Sequence, residues 1–178
     1  MVPVKKEINI YDYAAVINSA MKHGILLTTK ADGKVNTMTI GWGALGIEWS
    51  RPVFTAYVRE SRYTREMLEK NGEFTINIPM GDCDPQILVY CGRNSGRDGD
   101  KIQKLGLTLE EPETISVPGI KELPLTIECK VLYSQLQDCQ GMPEDILNRF
   151  YPAVKEDGTP DRHIAFYGEI QKAYIIED

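Results

Sequence analysis

The chain has 178 residues, of which 42% are hydrophobic and 26% are charged, and its formal net charge is −6. This length predicts a single domain, residues 1–178, with a sizeable buried core. The acidic balance argues against nucleic-acid binding, which needs a basic face, and no apolar run approaches the length of a membrane span.

The N-terminal stretch MVPVKKEINIYDYAAV has no long apolar segment and no cleavage signature. It lacks the features of a secretory signal and predicts a cytoplasmic protein. The four cysteines, at positions 83, 91, 129 and 139, form no C-x-x-C pair, and the chain has only two histidines. We therefore expect no metal site, and reduced, mostly buried thiols.

Apolar periodicity in the first half of the chain predicts two helices and four strands. Asp32-Gly33 is a hairpin signal between the first two strands, and Asn71-Gly72 ends the second helix. The predicted elements are a helix at 11–21, strands at 25–29, 35–40 and 52–58, a helix at 61–70 and a strand at 74–78.

The second half predicts short helices and two longer strands. Asp84 and Pro85 begin a helix that we expect to end at Gly92. The predicted elements are helices at 84–92 and near 98–105, strands at 125–133 and 164–176, and between these strands an inserted helix at about 143–151. Six strands with hairpin links and several short peripheral helices predict a mainly β fold, a small antiparallel β-barrel.

The stretch GWGALG, from Gly41 to Gly46, matches the dinucleotide-binding pattern G-x-G-x-x-G. That motif needs a strand before it and a helix after it, in a parallel βαβ unit. A strand precedes the motif, but only residues 47–52 separate it from the next strand. Two strands with so short a link predict an antiparallel pair, so we interpret the match as accidental.

The same region contains twelve consecutive uncharged residues, 36–47. Asn36, Thr37 and Thr39 offer polar edges, the three glycines allow close approach of the backbone, and Trp42 offers a flat face. Such a strand suits a planar heteroaromatic ligand. A bulged core strand with a packed tryptophan explains the same residues equally well.

Two further stretches could bind an anion. In RESRYT, residues 59–64, hydroxyl and guanidinium groups lie at a helix start, which suits a phosphate, although helix capping by Ser61 or Thr64 is the simpler alternative. In CGRNSGRDGDK, residues 91–101, neither a P-loop nor an EF-hand can be placed. Lys101 could neutralise a ligand there, or it could be a solvated helix residue.

In order and spacing, four stretches resemble the flavin reductase-like, flavoredoxin-type proteins, which have an FMN-binding split β-barrel of Greek-key type. They are NTMTIGWG, SRYT with EFTINIP, YCGRNSGRDGDKIQKLGLT and HIAFYGEI, and the resemblance runs from about residue 24 to the C-terminus. It implies a homodimer with FMN near the subunit interface. The residues that it implies at the cofactor are Asn36, Thr37, Met38, Thr39, Trp42, Arg59, Ser61, Arg62, Tyr63, Thr64, Ser95, Lys101 and His163.

Within that set, the resemblance implies that Asn36 and Trp42 contact the flavin and that Ser61, Arg62 and Thr64 lie at its phosphate. Lys101 would lie near its polar edge, and His163 would approach the cofactor or simply begin a strand. The segment 134–162 is longer than the resemblance leads us to expect, and related chains often extend further and cover the flavin with an aromatic residue.

The function implied is an FMN-dependent NAD(P)H oxidoreductase that passes electrons to free flavin, iron or a redox protein. The flavin carries the chemistry, so no catalytic side chain is expected, and the failed dinucleotide motif favours FMN over FAD. A non-catalytic module that binds FMN or haem is the alternative, and an empty barrel scaffold is a third. Neither nucleic acid nor membrane is expected as a partner.

Overall fold

A computed structural model of the chain describes residues 4–177. The strands are β1 (Val4–Glu7), β2 (Ile25–Ala31), β3 (Lys34–Ile40), β4 (Gly43–Glu48), β5 (Arg51–Arg59), β6 (Glu73–Ile78), β7 (Leu109–Glu110), β8 (Gly119–Ile120), β9 (Leu125–Leu136) and β10 (His163–Glu177). The α-helices are α1 (Ala14–Met21), α2 (Tyr63–Lys70), α3 (Pro85–Arg93), α4 (Lys101–Leu105) and α5 (Glu144–Phe150). None of the helices in residues 4–177 is long and apolar enough to cross a membrane.

An eight-stranded antiparallel sheet forms the body of the fold. Its strand order is β3-β2-β6-β9-β10-β5-β4, with β1 paired to β10. The two ends of this order, β3 and β4, are joined by only Gly41 and Trp42. Two residues bridge about 11 Å, whereas six strand spacings in a flat sheet span about 29 Å. The sheet therefore curls until its edges meet, and because no hydrogen-bonded ladder joins them, the barrel is split.

The mainly β, antiparallel prediction is confirmed, but the count of six strands was too low. It missed β1 and β4 in the main sheet, and the separate β7–β8 pair. The β4 strand was hidden because its turn to β5 uses Trp49 and Ser50, both with positive φ (50° and 57°). Glycine or asparagine usually takes such positions, as Gly33 does in the predicted β2–β3 hairpin.

The pairing of β4 with β5 settles the interpretation of GWGALG. Gly43–Glu48 is itself a strand, antiparallel to β5, and no helix follows Gly46. The interpretation of the motif as an accidental match is confirmed, because the βαβ unit that places a pyrophosphate at a helix N-terminus is not formed here.

Two apolar clusters position the surface segments that matter for the site. The larger fills the barrel interior and includes Phe54, Phe74 and Ile76. The smaller packs α3 and α4 against β2 and comprises Leu26, Ile87, Cys91, Leu107, Ile120 and Leu123. It holds the loop between α3 and α4 beside β3. Helix α3 continues through Gly92 to Arg93, so the predicted stop at Gly92 was wrong.

Candidate functional site

Three adjoining cavities form one groove along β3 and across the split in the barrel. We call them the anion end, about 110 Å³, the central cavity, about 160 Å³, and the outer cavity, about 530 Å³. Met38 and Arg62 line both the anion end and the central cavity, and Trp42 and Tyr57 line both the central and the outer cavity. The three cavities therefore adjoin one another in this order.

The anion end contains a buried cation. Lys101, the first residue of α4, is 5% exposed, and its Nζ donates hydrogen bonds to the backbone oxygens of Cys91 (3.2 Å) and Asn94 (3.1 Å). Among the ion pairs of residues 4–177, none gives Lys101 a carboxylate partner. Burial lowers the pKa of Lys101, because the charged form is poorly solvated. A buried, uncompensated ammonium group is costly, and a bound anion would relieve that cost.

The start of α2 adds to this positive end. Arg62 is the N-cap residue, and no side chain caps the helix, so the capping alternative for Ser61 and Thr64 was wrong. The Arg62 side chain is exposed, and within residues 4–177 its one hydrogen bond is a long one, 3.4 Å from Nη1 to the oxygen of Gly92. Thr64 is 2% exposed and its Oγ1 accepts a hydrogen bond from Asn36 Nδ2 at 3.0 Å.

Ser61 is not free to bind a phosphate as expected. Its backbone N–H and its hydroxyl donate to the two carboxylate oxygens of Asp161, at 3.0 and 2.6 Å. Asp161 lies at the end of the segment 134–162, which we call the insertion. One acidic side chain of the insertion therefore occupies donors that the sequence suggested for a ligand.

The loop between α3 and α4 closes the anion end. A Cβ on Gly96 would lie 2.2 Å from Asn36 Oδ1, so only glycine allows this approach. Ser95 accepts a hydrogen bond from the backbone N–H of Arg97. Arg97 donates to the backbone oxygen of Ser61 and pairs with Glu66 on α2. Its guanidinium lies over the ring of Tyr63. Arg97 was not predicted, since neither periodicity nor a motif marks it.

The β3 residues of the expected site divide between lining and support. Met38 and Thr39 line the central cavity, and the Thr39 hydroxyl donates to the oxygen of Leu88 at 2.6 Å. Thr37 lines none of the three cavities: it is 0% exposed, and its hydroxyl donates to the oxygen of Leu27 and accepts from Thr28. The Thr37 side chain therefore lies outside the groove, and the contact of Thr37 with the cofactor stays a prediction.

Arg59 lines the central cavity but holds the insertion in place. Its guanidinium donates to the backbone oxygens of Asp161 (2.5 Å) and Phe150 (2.9 Å) and lies over the ring of Tyr151. Two of its five N–H donors therefore hold the insertion, and because Arg59 also lines the central cavity, its ligand contact stays a prediction.

His163 begins β10 inside the groove. It is 7% exposed, its ring centroid lies 4.8 Å from that of Trp42, and its Nδ1 lies 2.9 Å from the hydroxyl of Tyr151. Burial lowers the pKa of His163 to about 4, with Arg59 contributing. The ring is therefore neutral at physiological pH.

The outer cavity lies between α1, the barrel and the insertion. Its lining comprises Asn18, Met21, Lys22, Gly41, Trp42, Gly43, Tyr57, Gln137, Met142, Ile146 and Tyr151. A Cβ on Gly43 would lie 3.1 Å from Met21 Sδ and from the Phe54 ring, so core packing explains this glycine. Gly46 has no neighbour within 4 Å of such a Cβ and lies outside the groove. Of the three glycines expected to allow close approach of the backbone, Gly41 and Gly43 therefore line the outer cavity and Gly46 does not.

A family model described as the flavin reductase like domain matches residues 19–178. The chain belongs to this family. An uncharacterized protein of Archaeoglobus fulgidus is 30% identical over 134 residues, which are 75% of each chain. Flavoredoxin of Desulfovibrio vulgaris is 24% identical, with a TM-score of 0.63 over 85% of this chain and 68% of that one. An FMN-binding domain of a flavin reductases-like enzyme from Shewanella baltica is 18% identical, with a TM-score of 0.68 over 98% and 78%. These two structures share the fold.

In this flavin reductase-like chain, the groove gathers twelve of the expected residues. They are Asn36, Met38, Thr39, Trp42, Arg59, Ser61, Arg62, Tyr63, Thr64, Ser95, Lys101 and His163. Sequence reasoning missed Tyr57 and the lining from α1 and the insertion. Tyr57 could have been found from the sequence, because side chains alternate along β5 and its neighbours Ala56 and Val58 face the core. The Tyr57 side chain must therefore point away from the barrel interior. Gln137 and Tyr151 could not have been found in this way, since only the folding back of the insertion brings them to the groove.

Proposed function

We propose that the chain is an FMN-dependent oxidoreductase that passes electrons from NAD(P)H through noncovalently bound FMN to free flavin, iron or a redox protein. The observation that carries this proposal is the buried, uncompensated Lys101 at the closed end of a groove that widens between aromatic and apolar side chains. FMN combines a terminal phosphate with a planar ring system, and the groove offers surfaces in the same order. The Shewanella baltica neighbour is described as FMN-binding.

The anion end fits a phosphate monoester, which carries about −1.5 to −2 charges at neutral pH. Lys101 and Arg62 supply two positive charges, and the first turn of α2 supplies backbone N–H groups without intrahelical acceptors. The Thr64 oxygen already accepts from Asn36, so its hydrogen is available to a ligand. With about 110 Å³ of space, this end suits one terminal phosphate, which supports FMN over FAD.

The outer cavity, at about 530 Å³, lies within the usual range for small-molecule sites, roughly 300–1,000 Å³. Trp42 and Tyr57 offer flat surfaces to a ring, and Met142 and Ile146 of the insertion form an apolar wall against which a second reactant can lie. Bound FMN would supply the redox chemistry, taking up a hydride and passing electrons on. The residues of the chain bind, orient and exclude water.

A homodimer, and a cytoplasmic location, are parts of the same proposal. Trp49 and Tyr133 are 54% and 47% exposed and form an aromatic cluster with Tyr167 on the outer face of the sheet. Tyr167 pairs with Thr55, two residues from the groove residue Tyr57. An exposed aromatic cluster beside the groove supports an interface there, and two-fold assembly is the commonest kind.

The deciding experiment is an absorption spectrum of the purified protein, followed by anaerobic titration with NADH and NADPH. We expect flavin bands, bleaching by a nicotinamide, and a heat-released cofactor that chromatographs as FMN. A cofactor that runs as FAD would overturn the choice of FMN. Colour that neither nicotinamide bleaches would overturn the oxidoreductase and leave a binding module.

A pair of lysines on α4 provides a matched test of the anion end. Lys101→Met removes the buried charge while keeping the length of the side chain, and the protein should lose its bound cofactor. Lys104→Met removes an exposed charge from the same helix and should leave the cofactor in place. Equal cofactor content in the two variants would contradict phosphate binding at Lys101.

A further inference from the structure

The base of the insertion closes around His163 through two residues. The backbone N–H of Gln137 donates to the oxygen of His163 at 2.9 Å. The Tyr151 hydroxyl, which is buried, lies 3.0 Å from Gln137 Oε1 and 2.9 Å from His163 Nδ1. The Tyr151 oxygen therefore lies between an amide oxygen and an imidazole nitrogen.

A count of protons then decides the state of the ring. A phenol has one hydrogen, and an amide oxygen only accepts, so the Tyr151 hydrogen points to Gln137. The lone pair of the Tyr151 oxygen then faces Nδ1 of His163, and Nδ1 must carry a hydrogen. A neutral imidazole has a single N–H, so Nε2 of His163 carries a lone pair.

The surroundings of the ring keep it neutral and leave Nε2 available. The charged groups that influence it are Arg59 and Arg62, which lower the pKa of His163, and Asp161, which raises it. Burial is the largest effect and lowers that pKa to about 4. His163 lines the central cavity, and among residues 4–177 no hydrogen bond to its Nε2 is formed.

We propose that Tyr151 and Gln137 are positioning residues that hold His163 in its Nδ1–H form, so that Nε2 accepts a hydrogen bond from a hydroxyl or N–H of the ligand in the central cavity. A cationic ring would add a third positive charge beside Arg59 and Arg62. A neutral acceptor instead selects the donor-bearing, uncharged part of a ligand, between its phosphate and its planar ring. The ligand contact rests on the proposed function, but the state of the ring is a property of the chain alone.

The test is nitrogen-15 NMR of the imidazole rings in the full-length protein, without and with FMN. The spectrum contains two rings, and the exposed His23 serves as an internal reference. In the protein without FMN we expect one ring with protonated Nδ1 and unprotonated Nε2 from pH 8 to pH 5. Added FMN should shift the Nε2 resonance of His163 without protonating it.

Two variants separate positioning from general support. Gln137→Leu removes the acceptor, so the Tyr151 hydrogen should turn to Nδ1 and move the ring hydrogen to Nε2. Tyr151→Phe should give a mixture of the two neutral forms and weaken FMN binding by about two- to fivefold, because less of the ring is in the competent form. Far-UV circular dichroism would identify a variant that has lost the fold.

A wild-type ring that carries its hydrogen on Nε2, or a ring state unchanged in both variants, overturns the proposal. A His163 resonance that does not respond to saturating FMN overturns the ligand contact. If the protein binds no FMN at all, the proposed function fails while the ring measurements still stand or fall by themselves.

Discussion

Replacing Arg62 with alanine separates cofactor binding from folding. The Arg62 side chain is exposed and makes one long contact, so its loss should change the free energy of unfolding by no more than about 0.5 kcal/mol. A charge-assisted hydrogen bond to the phosphate contributes roughly 1.5–3 kcal/mol. The dissociation constant for FMN should therefore rise by about tenfold to over a hundredfold.

Replacing Thr64 with valine should lower the stability of the fold more than Arg62→Ala does, and lower the affinity for FMN less. Valine keeps the shape but leaves Asn36 Nδ2 without its acceptor in a buried position, which costs about 1–3 kcal/mol of stability. Its effect on FMN should be smaller than that of Arg62→Ala, because one neutral donor is lost and both cations stay.

Titration of apoprotein with FMN, by fluorescence quenching, together with urea unfolding, measures both quantities. The matched control is Arg93→Ala, which removes an exposed arginine that lines none of the three cavities. Lys22 lies outside every sequence motif of the site, but it lines the outer cavity and is therefore unsuitable as a control. Equal FMN affinities for Arg62→Ala and Arg93→Ala would refute the phosphate site.

Three further predictions follow from other contacts. Because the folded-state pKa of His163 is about 4 and the unfolded value is about 6.5, the unfolded chain takes up the proton first as pH falls. The free energy of unfolding of the wild type should therefore drop by about 2 kcal/mol more than that of His163→Gln between pH 7 and pH 5. Urea unfolding at the two pH values measures this, and equal drops for the two proteins would exclude the prediction. Asp161→Asn removes a negative charge beside the start of α2 and leaves one acceptor oxygen in place of two, which frees one of the two Ser61 donors. Isothermal titration should therefore show tighter FMN binding, and weaker binding would mean that Asp161 matters chiefly for holding the insertion. Light scattering should give a dimer for the wild type, and Trp49→Glu, in the exposed aromatic cluster, should shift it to monomer; a wild-type monomer with cofactor bound would end the dimer proposal.

Strand positions were predictable where apolar residues alternate or run together, as in β2, β6 and β10. The turn at Asp32-Gly33 was also predictable, because glycine marks a positive φ. The turn at Trp49-Ser50 was not, since neither residue type favours the left-handed region. The backbone preferences of the turn residues therefore explain why the first turn was predicted and the second was not.

The site was predictable where its residues are close in the chain, as around Arg62 and Lys101. It was not predictable where partners are distant: Ser61 and Asp161 are 100 residues apart, and Arg59 and Phe150 are 91 apart. Such pairs depend on how the insertion folds back, and no residue pattern encodes that path. The burial of Lys101 was not predictable either, because it arises only when α3 and α4 pack against β2.

The split in the barrel also has a consequence for solubility. A strand at the edge of a sheet exposes unpaired backbone groups on which another chain can add a strand, and β3 and β4 are such edges, each paired on one side only. Curling turns these two edges toward each other, while α3 and α4 pack against β3 and α1 packs against β4. The groove thus hides from neighbouring molecules the backbone groups most prone to aggregation, and a ligand lying there would shield them further.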